Sequence, residues 1–440
     1  MDVPELTKRE LEWDAYKEWK SKQANSHILP FFHGEILLPR HAVLSIFACM
    51  GHNSQTLATF SASQDLYFAL LESWKMLHVR HTNWNLIPTL VFYSTAGIIL
   101  HCRAYCTGHE FFPPHRTVKR HYAVDMRIAL DRLCDALNHN HTLTFLNLAT
   151  IQLCGSEVEK ISAALSNCRS INKFILIGSK TEKSGIWKMV DALRNNKTMD
   201  SLILSHNYIG DEYGEKIVKT LANFDLLTTL VLTDNHIGSR TGDEIASFLE
   251  WNKSITSLEL TWNCLTGPNI EKIADTLKRN STLASLHLDG NNIGDHGAEM
   301  IAAALMVNQK LTHVRLGNNN ICDRGASAIF RALAQNLASG LKCLFIGNNI
   351  IGNNSATTIA TAIGNNSTLT ILSLRGTRFS ISGTTTILAA LWKNRTLTNL
   401  TITGSEVHDD AADGISTMLK MNSGLKCRVF LSERQIKDAL

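Results

Sequence analysis

The feature that most constrains this chain is a hydrophobic beat that returns every 28 residues. The pattern L-x-x-L-x-L-x-x-N begins at Met199 and again at Leu227, Ile255, Leu283 and Leu311, and Asn207, Asn235, Asn263, Asn291 and Asn319 close the copies. The next start, Leu341, follows after 30 residues, with Ser339-Gly340 the natural place for the two extra and Asn349 closing that copy. The step returns to 28 at Leu369, Leu397 and Leu425, and running backwards finds Ile171 and Leu143. One frame therefore holds ten repeats and a terminal cap. Self-similarity at this period marks stacked supersecondary units, none of which can bury its apolar face alone.

Each unit changes period halfway. The first half alternates, which predicts a short strand with the leucines at the fourth and sixth places turned inward. The second half carries apolar residues at helical spacing, as in Ile273, Ala274, Leu277 or Ile301, Ala302, Leu305. A glycine-containing turn such as Ile209-Gly210-Asp211 or Ile293-Gly294-Asp295 joins the two. Helices close on Asn252, Asn280, Asn308, Asn366 and Asn394, read as left-handed terminal positions. The asparagine at the ninth place (Asn207, Asn235, Asn263, Asn291, Asn319, Asn349) is expected to be a scaffold ladder that satisfies main-chain groups where each strand ends.

The repeats resemble, in stretches such as NYIGDEYGEKIVKTLANF and NNIGDHGAEMIAAALMVN, the ribonuclease-inhibitor type of leucine-rich repeat. The same type occurs in the sensor region of NOD-like receptors and in the Ran GTPase-activating protein. The resemblance runs from Ala123 to Leu440 and implies an α/β solenoid: a horseshoe with parallel strands on the concave face and helices on the convex face. It says little of function, because architecture unites these proteins and their partners do not. Ribonuclease inhibitors are strongly acidic, whereas this chain has a formal net charge of +4. No G-x-x-x-x-G-K-[ST] loop precedes the repeats, and the terminal LSERQIKDAL is not the acidic tail of a Ran activator. No catalytic residue is carried over.

Residues 1–122 break the period and are read as a non-repeat, mainly helical, histidine-rich domain, holding ten of the chain's 18 histidines. Helices are expected near Lys8–Lys22 and Asp65–Val79. Residues 123–142 are read as a capping helix, 143–424 as the ten repeats and 425–440 as the carboxyl-terminal cap. HCRAYCTGHEFFPPH places Cys102, Cys106, His109 and His115 close together, but C-x3-C-x2-H is not a standard zinc spacing; a histidine-rich loop is the favoured reading, and no metal is assigned. The apolar run Leu86–Leu100 is shorter than the ~20 residues of a spanning helix and contains Pro88, so a buried segment is expected instead of a membrane span. The charged amino terminus lacks a secretory signal's apolar core, which points to the cytoplasm, with an organelle after loss of a presequence as the alternative. Sequons such as Asn140-His-Thr and Asn280-Ser-Thr then read as recurring turn chemistry.

The alternation also identifies the outward columns. One reads Asn147, Ile175, Ile203, Val231, Glu259, His287, Arg315, Phe345, Ser373, Thr401, and its neighbours contribute Trp262, Asp289 and Arg375. Ile175, Ile177, Ile203 and Val231 form an apolar strip along the early repeats that the amino-terminal domain is expected to cover. Further along, Glu259, Trp262, His287, Asp289, His313, Arg315, Phe345 and Arg375 have the composition of a protein-binding surface, with Trp and Arg as anchors. His287 and His313 fall in different columns without a third ligand, which argues against metal or catalysis. No cofactor fingerprint appears, and the mixed charge of the columns disfavours nucleic acid. The expected function is a non-enzymatic protein-binding scaffold, a subunit of a larger assembly; the alternative is a regulator of enzyme activity such as a small-GTPase activator.

Overall fold

The computed structural model describes residues 28–30, 37–39, 77–80, 97–101, most of 130–139, 143–148, nearly all of 153–402, and 428–430. The chain divides into two compact units, Met1–Asn147 and Leu148–Ala439, with Leu440 grouped with the first.

The second unit is the repeat array. Its strands are β6 (Lys173–Ile175), β7 (Ser201–Ile203), β8 (Thr229–Val231), β9 (Ser257–Glu259), β10 (Ser285–His287), β11 (His313–Arg315), β12 (Cys343–Phe345), β13 (Ile371–Ser373), β14 (Asn399–Thr401) and β15 (Arg428–Phe430). Each pairs in parallel with the next, and equivalent repeat positions stand opposite one another, as with Leu230, Leu258, Leu286 and Val314. These leucines and their partners two residues on, such as Leu260 and Leu288, are 0–1 % exposed. Burying a side chain of this kind contributes about 1.5–3 kcal/mol, so a register slip, which would turn the whole set outward, is strongly disfavoured.

Between the strands run helices α1 (Gly155–Asn167), α2 (Lys183–Ala192), α3 (Gly210–Thr220), α4 (Ser239–Trp251), α5 (Gly267–Leu277), α6 (Gly294–Leu305), α7 (Asp323–Gln335), α8 (Asn353–Asn365) and α9 (Ile381–Ala389). In α5 the buried set Ile270, Ile273, Ala274 and Leu277 follows the helical period and faces the strands' leucines. Pro268 occupies its first turn, where a missing N–H costs nothing. At four joints a side chain just inside one helix caps the next: Asp211 accepts from Gly238, Arg240 and Thr241, Asp295 from Cys322 and Gly325, Asp323 from Gly352, and Asn353 from Ser380.

The asparagines that follow the helices correct one expectation. Asn252 and Asn366 have φ of −70° and −78° and extended ψ, not left-handed backbone. Their side chains hold the turn instead. Asn252 Oδ1 accepts the N–H groups of Ser254 and Ile255, and Asn280 Nδ2 donates to the Leu249 carbonyl of the preceding helix at 2.9 Å. Asn308, Asn336, Asn366 and Asn394 repeat that backward bond to Leu277, Leu305, Leu333 and Ile363. The 30-residue step is absorbed at one such turn: Ser339 Oγ accepts the Leu341 N–H, the bond an asparagine accepts elsewhere, and β11 and β12 keep their register.

The first unit departs from expectation more. Its described strands are β1 (Ile28–Pro30) and β2 (Leu37–Pro39), an antiparallel pair, and β3 (Leu77–Arg80) and β4 (Gly97–His101), parallel neighbours. Strand β4 also pairs in parallel with β5 (Phe145–Asn147), so repeat-like pairing begins well before the first sequence repeat. The helix expected over Asp65–Val79 ends instead in strand: Leu77 and Val79 alternate with polar neighbours, a four-residue signal too short to stand out. Likewise the apolar run ending at Leu100 finishes in β4. The described residues within 130–139 are helical, with Leu130, Leu133, Cys134 and Leu137 buried. The helix expected at Lys8–Lys22 and the Cys102, Cys106, His109, His115 cluster lie outside the described residues. Among the described residues, no helix is long and apolar enough to cross a membrane.

Candidate functional site: the strand face

The asparagine ladder frames this face. Asn207, Asn235, Asn263, Asn291, Asn319 and Asn349 are all buried. Asn263 shows the pattern: its Oδ1 accepts from Asn235 and Ile237, and its Nδ2 donates to Leu232 and Leu260 carbonyls at 2.9 and 3.0 Å. Asn207, Asn291 and Asn349 make the same backward and local bonds. These groups are spent on the backbone and offer nothing to a ligand.

One step before the ladder, the backbone turns left-handed in every repeat from His206 to Gly376: His206, Asp234, Trp262, Gly290, Asn318, Asn348 and Gly376 have φ of 52–67°. Glycine and asparagine tolerate that conformation; a tryptophan at +56° carries strain. The Trp262 ring lies flat against Gly290, where an added Cβ would come within 2.3 Å of it, so Gly290 serves both its own φ and this close approach. Trp262 is 55 % exposed.

The parallel registers place Glu259, His287, Arg315 and Phe345 side by side in one column. Arg315 donates through Nε to Asp289 Oδ2 at 2.7 Å, and its guanidinium stands 5.1 Å from the Phe345 ring centre, a cation–π arrangement. Asp289 is buried, and its other oxygen accepts the Gly317 N–H at 2.8 Å, so it positions Arg315 and is not itself a contact surface. Glu259 accepts from the Thr233 hydroxyl at 2.9 Å and faces His287 Nδ1 at 3.7 Å. The His287 ring lowers the Glu259 carboxyl pKa below its ordinary range; burial opposes this and Thr233 assists. His313 stands apart, registered opposite Ser285 and Cys343, with Thr312 Oγ1 2.9 Å from its Nδ1. Arg375 is exposed two repeats beyond Arg315. No group of three metal-ligating side chains forms among the described residues. Of the early apolar strip, Ile175 is buried and Ile203 and Val231 are half-buried.

The cluster chosen from the sequence leaves out five residues of this face: Thr233, and the pairs His206–Asp234 (Nδ1 to Oδ2, 2.8 Å) and Tyr208–His236, whose rings stack 5.0 Å apart. Tyr208 and His236 are also left-handed. The available signal was that bulky residues occupy places where later repeats carry Asn318, Asn320 or Asn348.

Residues 252–274, 279–302 and 307–330 match the Leucine Rich repeat family. The second unit is an α/β solenoid of leucine-rich repeats. Among solved structures, the chain is similar to an internalin, inlF, from Listeria monocytogenes, at 19% identity over 64% of this chain and 83% of that one, with a TM-score of 0.35. It is also similar to a chain in the octameric complex of Latrophilin 3, Unc5D and the leucine-rich-repeat protein FLRT2, at 18% identity over 66% and 85%, TM-score 0.38. A third similarity is to the actin-binding site 2 of leiomodin-1, at 25% identity over 35% of this chain and 88% of that one, TM-score 0.30. No curated protein matches the chain.

Proposed function

We propose that the chain is a non-enzymatic scaffold that holds a protein partner on its strand face, as a subunit of a larger assembly. The observation that carries this reading is the Asp289–Arg315–Phe345 arrangement beside Trp262. A buried carboxylate fixes an exposed guanidinium over an aromatic ring, next to an exposed indole on a strained backbone. Preorganised Arg and Trp at the middle of a rigid surface are the composition of binding anchors, because little side-chain freedom remains to be lost on association.

The test is capture of partners from native extract by the purified full chain. Trp262→Ala combined with Phe345→Ala should weaken recovery of the co-eluting protein roughly tenfold or more, the scale expected on losing two central anchors. Both residues lie outside the buried core, so the far-ultraviolet dichroism should not change. Undiminished capture by the folded double variant would overturn this surface.

A further inference from the structure

From Met199 to Ser380 charge is divided along the strand face. The strand-and-turn segments 199–210, 227–238, 255–266 and 283–294 carry Asp200, Asp234, Glu259 and Asp289 and no lysine or arginine. The segments 311–322, 341–352 and 369–380 carry Arg315, Lys342, Arg375 and Arg378 and no carboxylate. Asp289 and Arg315 meet at the seam and pair with each other. Beyond it, the side chains of Asp234 and Glu259 are 39% and 34% exposed on one side, and Arg375 and Arg378 are exposed on the other.

The acidic half also holds Trp262, one ring face against Gly290 and the side chain open to solvent. An indole with Glu259 in its own repeat and Asp234 in the one before suits a guanidinium or ammonium group, which gains from the ring and from the charges together. From the repeat of Trp262 to that of Arg375 is four strand steps, β9 to β13. At about 4.8 Å per step that is roughly 19 Å, the length of some six extended residues.

We propose that this face takes an extended segment of a protein partner whose charges are separated along its length. An arginine or lysine sits on Trp262 on the side of Asp234 and Glu259, and carboxylates about six residues away meet Arg375 and Arg378. This rests on the strand face being the partner surface and adds what the partner must carry. Like-charge contact penalises the reversed placement, so the division also fixes the direction in which the segment lies.

A library of random 12-residue peptides displayed on phage, panned on the full chain, tests it. Parallel selections use Asp234→Asn with Trp262→Asn, and Arg375→Gln with Arg378→Gln. Asparagine already occupies the same left-handed place at Asn318 and Asn348, so the first variant keeps its backbone, and dichroism with a thermal midpoint checks both. The wild-type pool should enrich peptides with a basic block and an acidic block set well apart. The first variant should lose enrichment of the basic block alone, and the second that of the acidic block alone. A wild-type pool with mixed charges, with no charge preference or with no enrichment at all overturns the proposal, as does loss of both blocks in either variant. If Trp262→Ala with Phe345→Ala abolishes selection while charges stay mixed, the partner surface stands and only the charge division fails. If every variant selects the same peptides, both fail together.

Discussion

Asn319 is completely buried, and its amide donates to the Leu288 and Gly317 carbonyls while its Oδ1 accepts from Asn291. Replacing it by alanine strands the Asn291 N–H away from water and leaves the Leu288 and Gly317 carbonyls with only the bonds they accept from Asn291 Nδ2 and the Gly290 N–H. Asn319→Ala should therefore cost about 1–3 kcal/mol in urea denaturation, the penalty of a buried donor left unpaired. Trp262→Asn should behave oppositely. It relieves a left-handed aromatic and gives up only surface contact, so the thermal midpoint should hold or rise, by up to about 1 kcal/mol of stability. A loss larger than that would show that the indole on Gly290 supports the fold. The two residues differ by one place in the repeat and by opposite relations to it: one is required by the backbone, the other is tolerated by it.

At the scale of elements, the helices are tied to one another through their first turns. Asp211 lies beside the start of α4; burial alone would raise its pKa, but N–H groups of Thr241, Arg240 and Gly238 outweigh that and hold it below the ordinary carboxylate range. A depressed folded pKa means that its stabilisation is complete above the unfolded carboxylate range and declines as pH falls toward the folded value. Asp211→Asn should thus show its largest deficit against wild type near pH 7, shrinking steadily between pH values of about 5 and 3. A deficit that grows on acidification would contradict the capping role. Much of this level was legible in the sequence. Alternating and helical periods placed strands and helices, and the columns through Glu259, His287, Arg315 and Phe345 match the registers residue for residue. The capping relay was not legible, because Asp211, Asp295, Asp323 and Asn353 look like ordinary first-turn residues until the next helix is seen beside them. The helix-ending asparagines were legible as turn residues but misread in conformation. Their Oδ1 accepts the backbone and often the hydroxyl of the residue two places on, as Thr198 and Thr282 do for Asn196 and Asn280. That chemistry writes N-x-[ST] into the sequence with the asparagine buried.

Across the whole molecule, the frame survives its one irregularity because the excess lies in a single turn. Gly340 passes so close to the Gln309 carbonyl that a Cβ would come within 2.5 Å, and Ser339 supplies the missing acceptor. Deleting Ser339 and Gly340 together restores the Asn-x-x-Leu spacing of the other turns. The shortened chain should unfold cooperatively with stability within about 1 kcal/mol of wild type, as surface-loop length changes little in closure entropy. A broad, multi-step transition would show that the extra residues set the phase of the later repeats. The repeat count and this insertion were readable from spacing alone. Strands β3 and β4 were not: only 21 residues separate Leu77 from its partner Ile98, and 48 separate Ile98 from Leu146, so no beat announces them.

The joints between repeats have one more consequence. The ninth-place asparagine reaches back to its predecessor's carbonyl, and the first-turn Asp211, Asp295, Asp323 or Asn353 reaches forward to its successor's amides. A 28-residue block that has both thus carries one half of every seam it will make. If such a block were duplicated in the gene, the copy would fit between its neighbours without compensating change, and the array could lengthen in whole units at no cost to its alignment.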